Sequence, residues 1–155
     1  KKRSSRRSKL RSYVVNGEDG NKDKEPDNDS ILHIREIDKA GIKKALQFEC
    51  IANRIPKEMP HKNPGYDIES RDKEGKLIRY IEVKSIEGNW GIDGVGLSKT
   101  QFQKASELGK RYWLYVIERA NRDDAQIYCI QDPAQKVDQY FYDDGWRAVS
   151  DSDEQ

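Results

Sequence analysis

The sequence predicts an α/β fold with a mixed sheet of about four or five strands flanked by helices. Three observations lead to this prediction. Apolar residues recur at helical spacing before Pro56, two strand-like runs are separated by a short polar turn, and residues 111–118 form a nearly continuous apolar run. Such a run is typical of a strand that is buried on both faces of a sheet.

The chain begins with a highly charged segment, residues 1–30, which we predict to be an arm, a linker or the end of a preceding region. Residues 1–11 contain seven Lys or Arg, among them Arg6 and Arg7, and no acid, whereas residues 12–30 contain six acids. The basic part is suited to binding a polyanion, although a solvated linker fits the same composition. We expect one domain over residues 31–150 and an acidic tail over 151–155.

Helical spacing predicts a first helix over residues 38–54, with an alternative start one or two turns earlier at Ile31. Pro56 is expected to stop this helix, because proline has no amide hydrogen to donate. Pro56, Pro60 and Pro64 then predict a stiff connection to the first strand.

The next segment predicts a β-hairpin, with strands at 66–71 and 77–86 and a turn at 72–75. A glycine-rich loop follows at 88–96. A second helix is predicted over 98–108, beginning with a capping box of Ser98 and Gln101 and ending at Gly109.

The last part of the chain predicts a strand at 111–118 and a further strand at 125–131. Asp132 and Pro133 predict the start of a short helix. Residues 141–149 predict a closing edge strand.

Two cysteines, Cys50 and Cys129, form neither a CxxC pair nor a disulfide framework. This usage predicts a reducing intracellular compartment, the cytoplasm or, in a eukaryote, the nucleus. No apolar run approaches the ~20 residues of a membrane span, so no membrane partner is expected.

Two acids and a lysine form the strongest candidate site in the sequence. Glu82 and Lys84 are both in the apolar run of the second hairpin strand, and Asp67 is the second residue of the first. Because side chains alternate along a strand, Glu82 and Lys84 point to the same face. Two carboxylates brought together across a hairpin make an oxygen site for a divalent cation, although a Glu–Lys pair facing water fits the same pattern.

These residues resemble the restriction-endonuclease-like superfamily, written PD-(D/E)XK. Pro64-Gly65-Tyr66-Asp67 followed by Glu82-Val83-Lys84 is similar to its motif. Within that superfamily the chain is most similar to the C-terminal domain family of the plant protein NO VEIN, over about residues 42–117. Such domains also occur in helicase-like and antiphage-defence proteins.

The resemblance implies a restriction-endonuclease-like core and a metal-dependent nuclease. Asp67 and Glu82 would bind Mg²⁺ or Mn²⁺, and the backbone carbonyl of Val83 could add a ligand. Lys84 would orient the attacking water or neutralise charge on the phosphoryl oxygens. The implied substrate is DNA, in antiphage defence or DNA processing.

Two further residues are candidates with an open alternative. Glu49, in the first helix, would assist at the metal, or would pair with Lys44 or Arg54. Gln101 would lie close to Lys84, as in many superfamily nucleases, or would only close the capping box with Ser98.

Three residues near the site are candidates for nucleic-acid binding. Trp90 would stack on a base or plug the sheet edge. Lys99 and Lys104 would contact phosphate or remain solvated. The alternative to the whole assignment is an inactive nuclease-fold module that binds nucleic acid or docks a helicase or ATPase in the same chain or complex.

Overall fold

The computed structural model describes residues 28–151 of the chain. Of the described residues, 28–136 belong to one compact unit, and those from Val137 onward belong to a second. The predicted body of residues 31–150 therefore covers most of the first unit and part of the second. Arg6 and Arg7 lie outside the described residues.

Helix α1 spans Asn28–Ile51. It begins ten residues before the predicted start at 38 and also before the alternative at Ile31. Its buried positions recur every fourth residue, at Ile37, Gly41, Ala45 and Glu49. The helix ends at Ile51, before Pro56, because Asn53 adopts a left-handed conformation (φ 62°) and the Arg54 amide then donates to the Glu49 carbonyl at 2.9 Å.

A single five-stranded sheet forms the centre of the first unit, with the strands in chain order from edge to edge. Its strands are β1 (Ile55–Glu58), β2 (Ile68–Arg71), β3 (Leu77–Ser85), β4 (Tyr112–Glu118) and β5 (Gln126–Gln131). All neighbours pair antiparallel except β3 and β4, which pair parallel. Helix α2 (Lys99–Leu108) lies in the connection between these two strands. The predicted α/β fold with a mixed sheet is therefore confirmed.

The predicted hairpin and its turn are also confirmed. Strands β2 and β3 pair antiparallel, with Ile68 opposite Ile81. In the turn, the side chain of Asp72 accepts hydrogen bonds from the amides of Glu74 and Lys76, at 3.0 and 2.8 Å. This is the local bonding that favours aspartate in turns.

Strand β1 was not predicted, since its segment contains Pro56 and reads as a connection. Pro56 is tolerated because β1 is the edge strand, where one side of the backbone has no strand partner. In contrast, the predicted edge strand at 141–149 is wrong. Residues Asp144–Val149 form a 3₁₀ helix, and the side chain of Asp143 caps it by accepting from the Gly145 amide at 3.0 Å.

The two faces of the sheet carry different clusters. Helix α1 packs on the face that presents Ile81 and Val83, and α2 packs on the face that presents Tyr80 and Tyr112. Side chains of β3 therefore alternate between the two helices. No helix among residues 28–151 is long and apolar enough to cross a membrane.

Candidate functional site

A tight loop at Gly65 positions Asp67 immediately before β2. Gly65 has φ +92°, and a Cβ there would lie 2.7 Å from the Cβ of Lys104 on α2. The Tyr112 hydroxyl donates to the Gly65 carbonyl at 2.7 Å, which fixes the loop to β4. Glycine is therefore required at this position both by conformation and by space.

The hydrogen-bond ladder between β2 and β3 ends at the Asp67 side chain. The backbone amide of Asp67 still donates to the Ile81 carbonyl at 2.8 Å, as in a strand. Two residues further along β3, the Val83 amide donates to Asp67 Oδ2 at 2.8 Å instead of to a backbone carbonyl. Strands β2 and β3 therefore separate at Asp67. The Val83 carbonyl points to the same side of its strand as the Val83 amide, towards this fork.

Glu82 lies beside Asp67 and is only 4% exposed. It does not face water, which removes the simple solvated-pair alternative for this residue. Burial and the negative charge of Asp67 raise the pKa of Glu82 to about 7, against the opposing charge of Lys84. Burial also raises the pKa of Asp67, although the Val83 amide and Lys84 oppose that shift. Near neutral pH, a divalent cation at this pair would compete with a proton.

Gln101 connects the two charged residues of β3. Its Nε2 donates to Glu82 Oε1 at 2.7 Å, and its Oε1 accepts from Lys84 Nζ at 3.0 Å. The same Oε1 accepts from the Ser98 amide at 2.9 Å, and the Ser98 hydroxyl accepts from the Gln101 amide. The capping box is thus confirmed, and Gln101 also lies close to Lys84, while its role in catalysis stays a prediction.

Lys84 completes the cluster. Its Nζ lies 3.3 Å from Glu82 Oε1. Together with the Gln101 contact, this holds the ammonium group beside the carboxyl pair. Asp67, Glu82, Lys84 and Gln101 are therefore brought together at one place, where β2 separates from β3.

Asp38 of α1 is a neighbouring acid, outside the direct contacts of the cluster, that the sequence analysis missed. Partial desolvation raises its pKa and the positive charge of Lys84 opposes that shift, while the charge of Asp38 contributes to raising the pKa of Asp67. Helix α1 comes this close because Gly41, one turn later, lies against Ser85: a Cβ on Gly41 would be 1.7 Å from the Ser85 Oγ. A glycine at a regular core position of α1 was the available signal for this close approach.

Glu49 does not join this cluster. It is fully buried on the α1 face of the sheet, where both of its oxygens accept from the Arg54 guanidinium and Oε2 also accepts from the Tyr115 hydroxyl at 3.1 Å. The Glu49 hydrogen bond strengthens the hold of Arg54 on its proton and so raises the Arg54 pKa. Of the two alternatives, pairing with Arg54 is the one observed.

The candidate nucleic-acid-binding residues differ in how far their side chains are exposed to solvent. Trp90 packs against Tyr128 of the edge strand β5 and remains 37% exposed. Lys99 is exposed at the first position of α2. Lys104 packs against Gly65, and its Nζ lies 3.6 Å from the Glu107 carboxylate.

The oxygen donors at the fork suit a magnesium ion that retains water. Within residues 28–151, no group of three or more His, Cys, Asp or Glu side chains lies close enough to hold a metal. Mg²⁺ is commonly held by one or two carboxylates, with water and substrate phosphate supplying the other ligands. The pair of Asp67 and Glu82, with the Val83 carbonyl, fits that requirement.

Comparison with known proteins gives one match. No curated protein and no solved structure is significantly similar to the chain. The family model described as protein NO VEIN, C-terminal, matches residues 34–130. This range includes α1 from its second turn, the whole sheet up to Ile130 and every member of the cluster at the fork. The chain therefore belongs to the family of the NO VEIN C-terminal domain.

Proposed function

We propose that this domain is a nuclease that hydrolyses DNA phosphodiester bonds with Mg²⁺ or Mn²⁺. The observation that carries the proposal is the convergence of Asp67, Glu82 and Lys84 at the fork between β2 and β3. A buried Glu82 beside the half-buried Asp67 is costly to place in a fold, and such carboxyl pairs concentrate at functional sites. The arrangement also agrees with the PD-(D/E)XK resemblance of the sequence.

Each residue has a distinct role in this proposal. Asp67 and Glu82 would hold the cation, with the Val83 carbonyl as a third ligand. When bound, the cation would polarise the scissile phosphate and lower the pKa of the attacking water. Lys84, held in place by Gln101, would donate hydrogen bonds to the attacking water or to the phosphoryl oxygens as negative charge develops on them. Asp38 would act through its negative charge on Asp67 and would not be a ligand of the cation.

The substrate would be held mainly outside this cluster. From Ile31 onward the chain carries 20 bases and 22 acids, so the body offers little net attraction for a polyanion. The basic residues 1–11, Lys99 and Lys104 are the candidate phosphate contacts. A helicase or ATPase in the same chain or complex would be a natural source of further DNA contacts, in antiphage defence or DNA processing.

A plasmid-nicking assay with Mg²⁺ or Mn²⁺ tests the proposal. Asp67→Asn is the sharpest variant, because the amide oxygen can still accept from the Val83 amide while the negative charge is lost. We expect Asp67→Asn and Lys84→Met to reduce nicking at least a hundredfold. Glu74→Gln and Lys76→Met, at exposed positions in the turn of the same hairpin, are the matched controls and should leave nicking unchanged.

Nicking that survives in both site variants would remove the nuclease assignment. Metal binding by calorimetry in the wild type, lost in Asp67→Asn, would support the cation site independently of activity. Nucleic-acid binding without nicking or metal binding would favour the inactive binding module. If neither metal nor nucleic acid binds, the helicase- or ATPase-docking alternative is favoured.

A further inference from the structure

An aromatic pair lies at the end of the sheet, on the same face as Lys84. The ring centroids of Trp90 and Tyr128 are 5.5 Å apart, with the planes tilted by 56°. Trp90 is 37% exposed and Tyr128 is 43% exposed. The two side chains therefore support each other while each keeps part of its ring surface open to solvent.

The pair is anchored by a buried acid, Glu118, which is 8% exposed. Its Oε2 accepts from the backbone amide of Trp90 at 2.9 Å, and its Oε1 accepts from the Tyr128 hydroxyl at 3.0 Å. Arg119 supplies the opposite charge, with Nη1 3.1 Å from Glu118 Oε1 and 2.6 Å from the Asn89 side chain. The loop that carries Trp90 is thus tied to β4 and β5 beside the ring, which limits the freedom that the side chain would lose on binding.

The register of the sheet relates this pair to the site. Lys84 on β3 is opposite Val116 on β4, and Val116 is opposite Tyr128 on β5. Residues that are directly opposite point to the same face, so Lys84 and Tyr128 share one row. Two strand spacings separate their backbones, about 10 Å. This is close to the reach from a phosphate to a base one or two nucleotides away in an extended single strand.

We propose that Trp90 and Tyr128 form a stacking platform for an unpaired base next to the phosphodiester bond that is cleaved. The proposal rests on the proposed nuclease function and narrows its substrate to nucleic acid that is single-stranded, or locally unpaired, at the cut. Aromatic rings bind the face of any base, whereas bases inside a duplex have their faces covered by their neighbours. The platform would therefore select for unpaired structure rather than for sequence.

The two rings could instead serve only to cover the apolar edge of the sheet. Substitutions of Trp90 and Tyr128 distinguish this role from base stacking. Trp90→Phe and Tyr128→Phe keep a ring at each position, and Tyr128→Phe loses only the hydrogen bond to Glu118. Trp90→Leu and Tyr128→Leu keep an apolar cover but remove the flat surface. Tyr140→Leu removes an aromatic ring that is 60% exposed elsewhere in the described chain and serves as the control.

The experiment measures binding of the full chain in EDTA, so that cleavage does not interfere. The probes are a fluorescein-labelled oligo(dT), the same oligonucleotide with abasic sites, and a duplex of equal length. We expect the two Leu variants to bind oligo(dT) about tenfold more weakly or worse, while the Phe variants and Tyr140→Leu stay within about twofold of the wild type. The abasic probe should bind the wild type and the Leu variants equally. Thermal unfolding of each variant shows whether the fold is retained.

Two results would overturn the platform. One is an unchanged affinity of folded Trp90→Leu for oligo(dT). The other is that Trp90→Leu weakens binding of the duplex and of the abasic probe as much as it weakens binding of oligo(dT). Nicking by the same variants, measured separately with Mg²⁺ or Mn²⁺ and without EDTA, separates this proposal from the nuclease assignment. Trp90-dependent binding of oligo(dT) without any nicking retains base stacking at Trp90 and Tyr128 but removes the nuclease, and with it the placement of the base next to a cleaved bond. Nicking that depends on Asp67 but not on Trp90, on paired and unpaired substrates alike, retains the nuclease and removes the platform.

Discussion

At the scale of single residues, the site is built by a carboxylate that substitutes for a backbone carbonyl. Asp67 accepts the Val83 amide at the point where β2 leaves β3, so the next ladder bond is made by a side chain. Glu82 pairs with Leu114 on β4, and on the β2 side it has the half-buried Asp67 as an acidic neighbour. A charged group in that setting titrates at an unusual pH.

The first prediction concerns the pH dependence of stability. Because the Glu82 pKa is raised from its ordinary value of 4.5 to about 7, the folded protein holds a proton that the unfolded chain releases between these pH values. The free energy of unfolding contributed by this group therefore falls as pH rises from about 4.5 to 7, by roughly 3 kcal/mol. Urea denaturation of wild type and Glu82→Gln in EDTA from pH 4 to 8 measures this contribution.

In Glu82→Gln, the free energy of unfolding should depend less on pH between 4.5 and 7 than in the wild type. In the control Glu74→Gln, in the exposed turn, its pH dependence should be that of the wild type. An unchanged slope in Glu82→Gln would show that Glu82 does not titrate in this range. The same proton predicts that Mn²⁺ binds more tightly at pH 8 than at pH 6, since the cation must displace it.

A second prediction concerns Glu49, whose charge is satisfied by Arg54 and Tyr115 rather than by the site. Glu49→Ala would leave Arg54 without its partner in a largely buried position, and we expect a loss of roughly 3 kcal/mol of stability. Nicking per folded molecule should remain as in the wild type. Gln47→Ala, at an exposed position of the same helix, is the control. A Glu49→Ala protein that is as stable as the wild type but does not cut DNA would show that Glu49 acts in the site.

Sequence reasoning reached the residues whose partners are close in the chain or on the same strand. Asp67, Glu82 and Lys84 follow from the hairpin and from strand alternation. Asp38 and Tyr128 could not be found in this way. Asp38 depends on the contact of Gly41 with Ser85, and Tyr128 depends on the register across three strands. Both are set by packing between distant segments, which the local pattern does not contain.

At the scale of elements, helix α2 was predicted closely because its signals are local. Ser98 and Gln101 cap it at one end, and Gly109 ends it with φ 57°. Strand β1 was missed because its Pro56 reads as a breaker unless the strand is known to be at the edge. The closing strand at 141–149 was predicted from its aromatic residues, but Tyr140, Phe141 and Tyr142 are exposed and Asp143 caps a 3₁₀ turn instead.

The third prediction concerns the capping box. Of its two members, Ser98 and Gln101, only Gln101 also makes hydrogen bonds with Lys84 and Glu82. Ser98→Ala removes the cap and should cost about 1 kcal/mol of stability. Gln101→Ala should cost a similar amount and should also lower the nicking rate by roughly 10- to 100-fold, because Lys84 and Glu82 lose their common partner. Urea denaturation and nicking measured on the two variants in parallel provide the comparison. Equal nicking rates in both variants would confine Gln101 to the cap.

At the scale of the whole molecule, charge is distributed unevenly. Seven Lys or Arg fall within residues 1–11, while the chain from Ile31 onward has 20 bases against 22 acids. The cluster at the fork is itself mainly acidic. Affinity for a polyanion therefore has to come from other parts of the chain or from a partner.

The fourth prediction follows from this distribution. Deletion of residues 1–11 should weaken binding to duplex DNA, and it should also reduce the dependence of the affinity on salt concentration, because fewer counterions are released. Fluorescence anisotropy at several salt concentrations measures both quantities. Replacement of the seven basic residues by Gln at constant length is the matched control, and it should reproduce the deletion. An unchanged salt slope in both would exclude the arm from binding.

Gln101 gives the site a property that its ligands alone would not have. The residue that closes the first turn of α2 is also the residue that sets the position of the Lys84 ammonium group. Unwinding of that turn would also break the hydrogen bonds of Gln101 to Lys84 and Glu82, so the order of the helix and the order of the site are expected to be linked. Amide exchange at the start of α2 would then report how often these hydrogen bonds are broken, and for the proposed nuclease a partner that orders this turn would be an activator without approaching the phosphate.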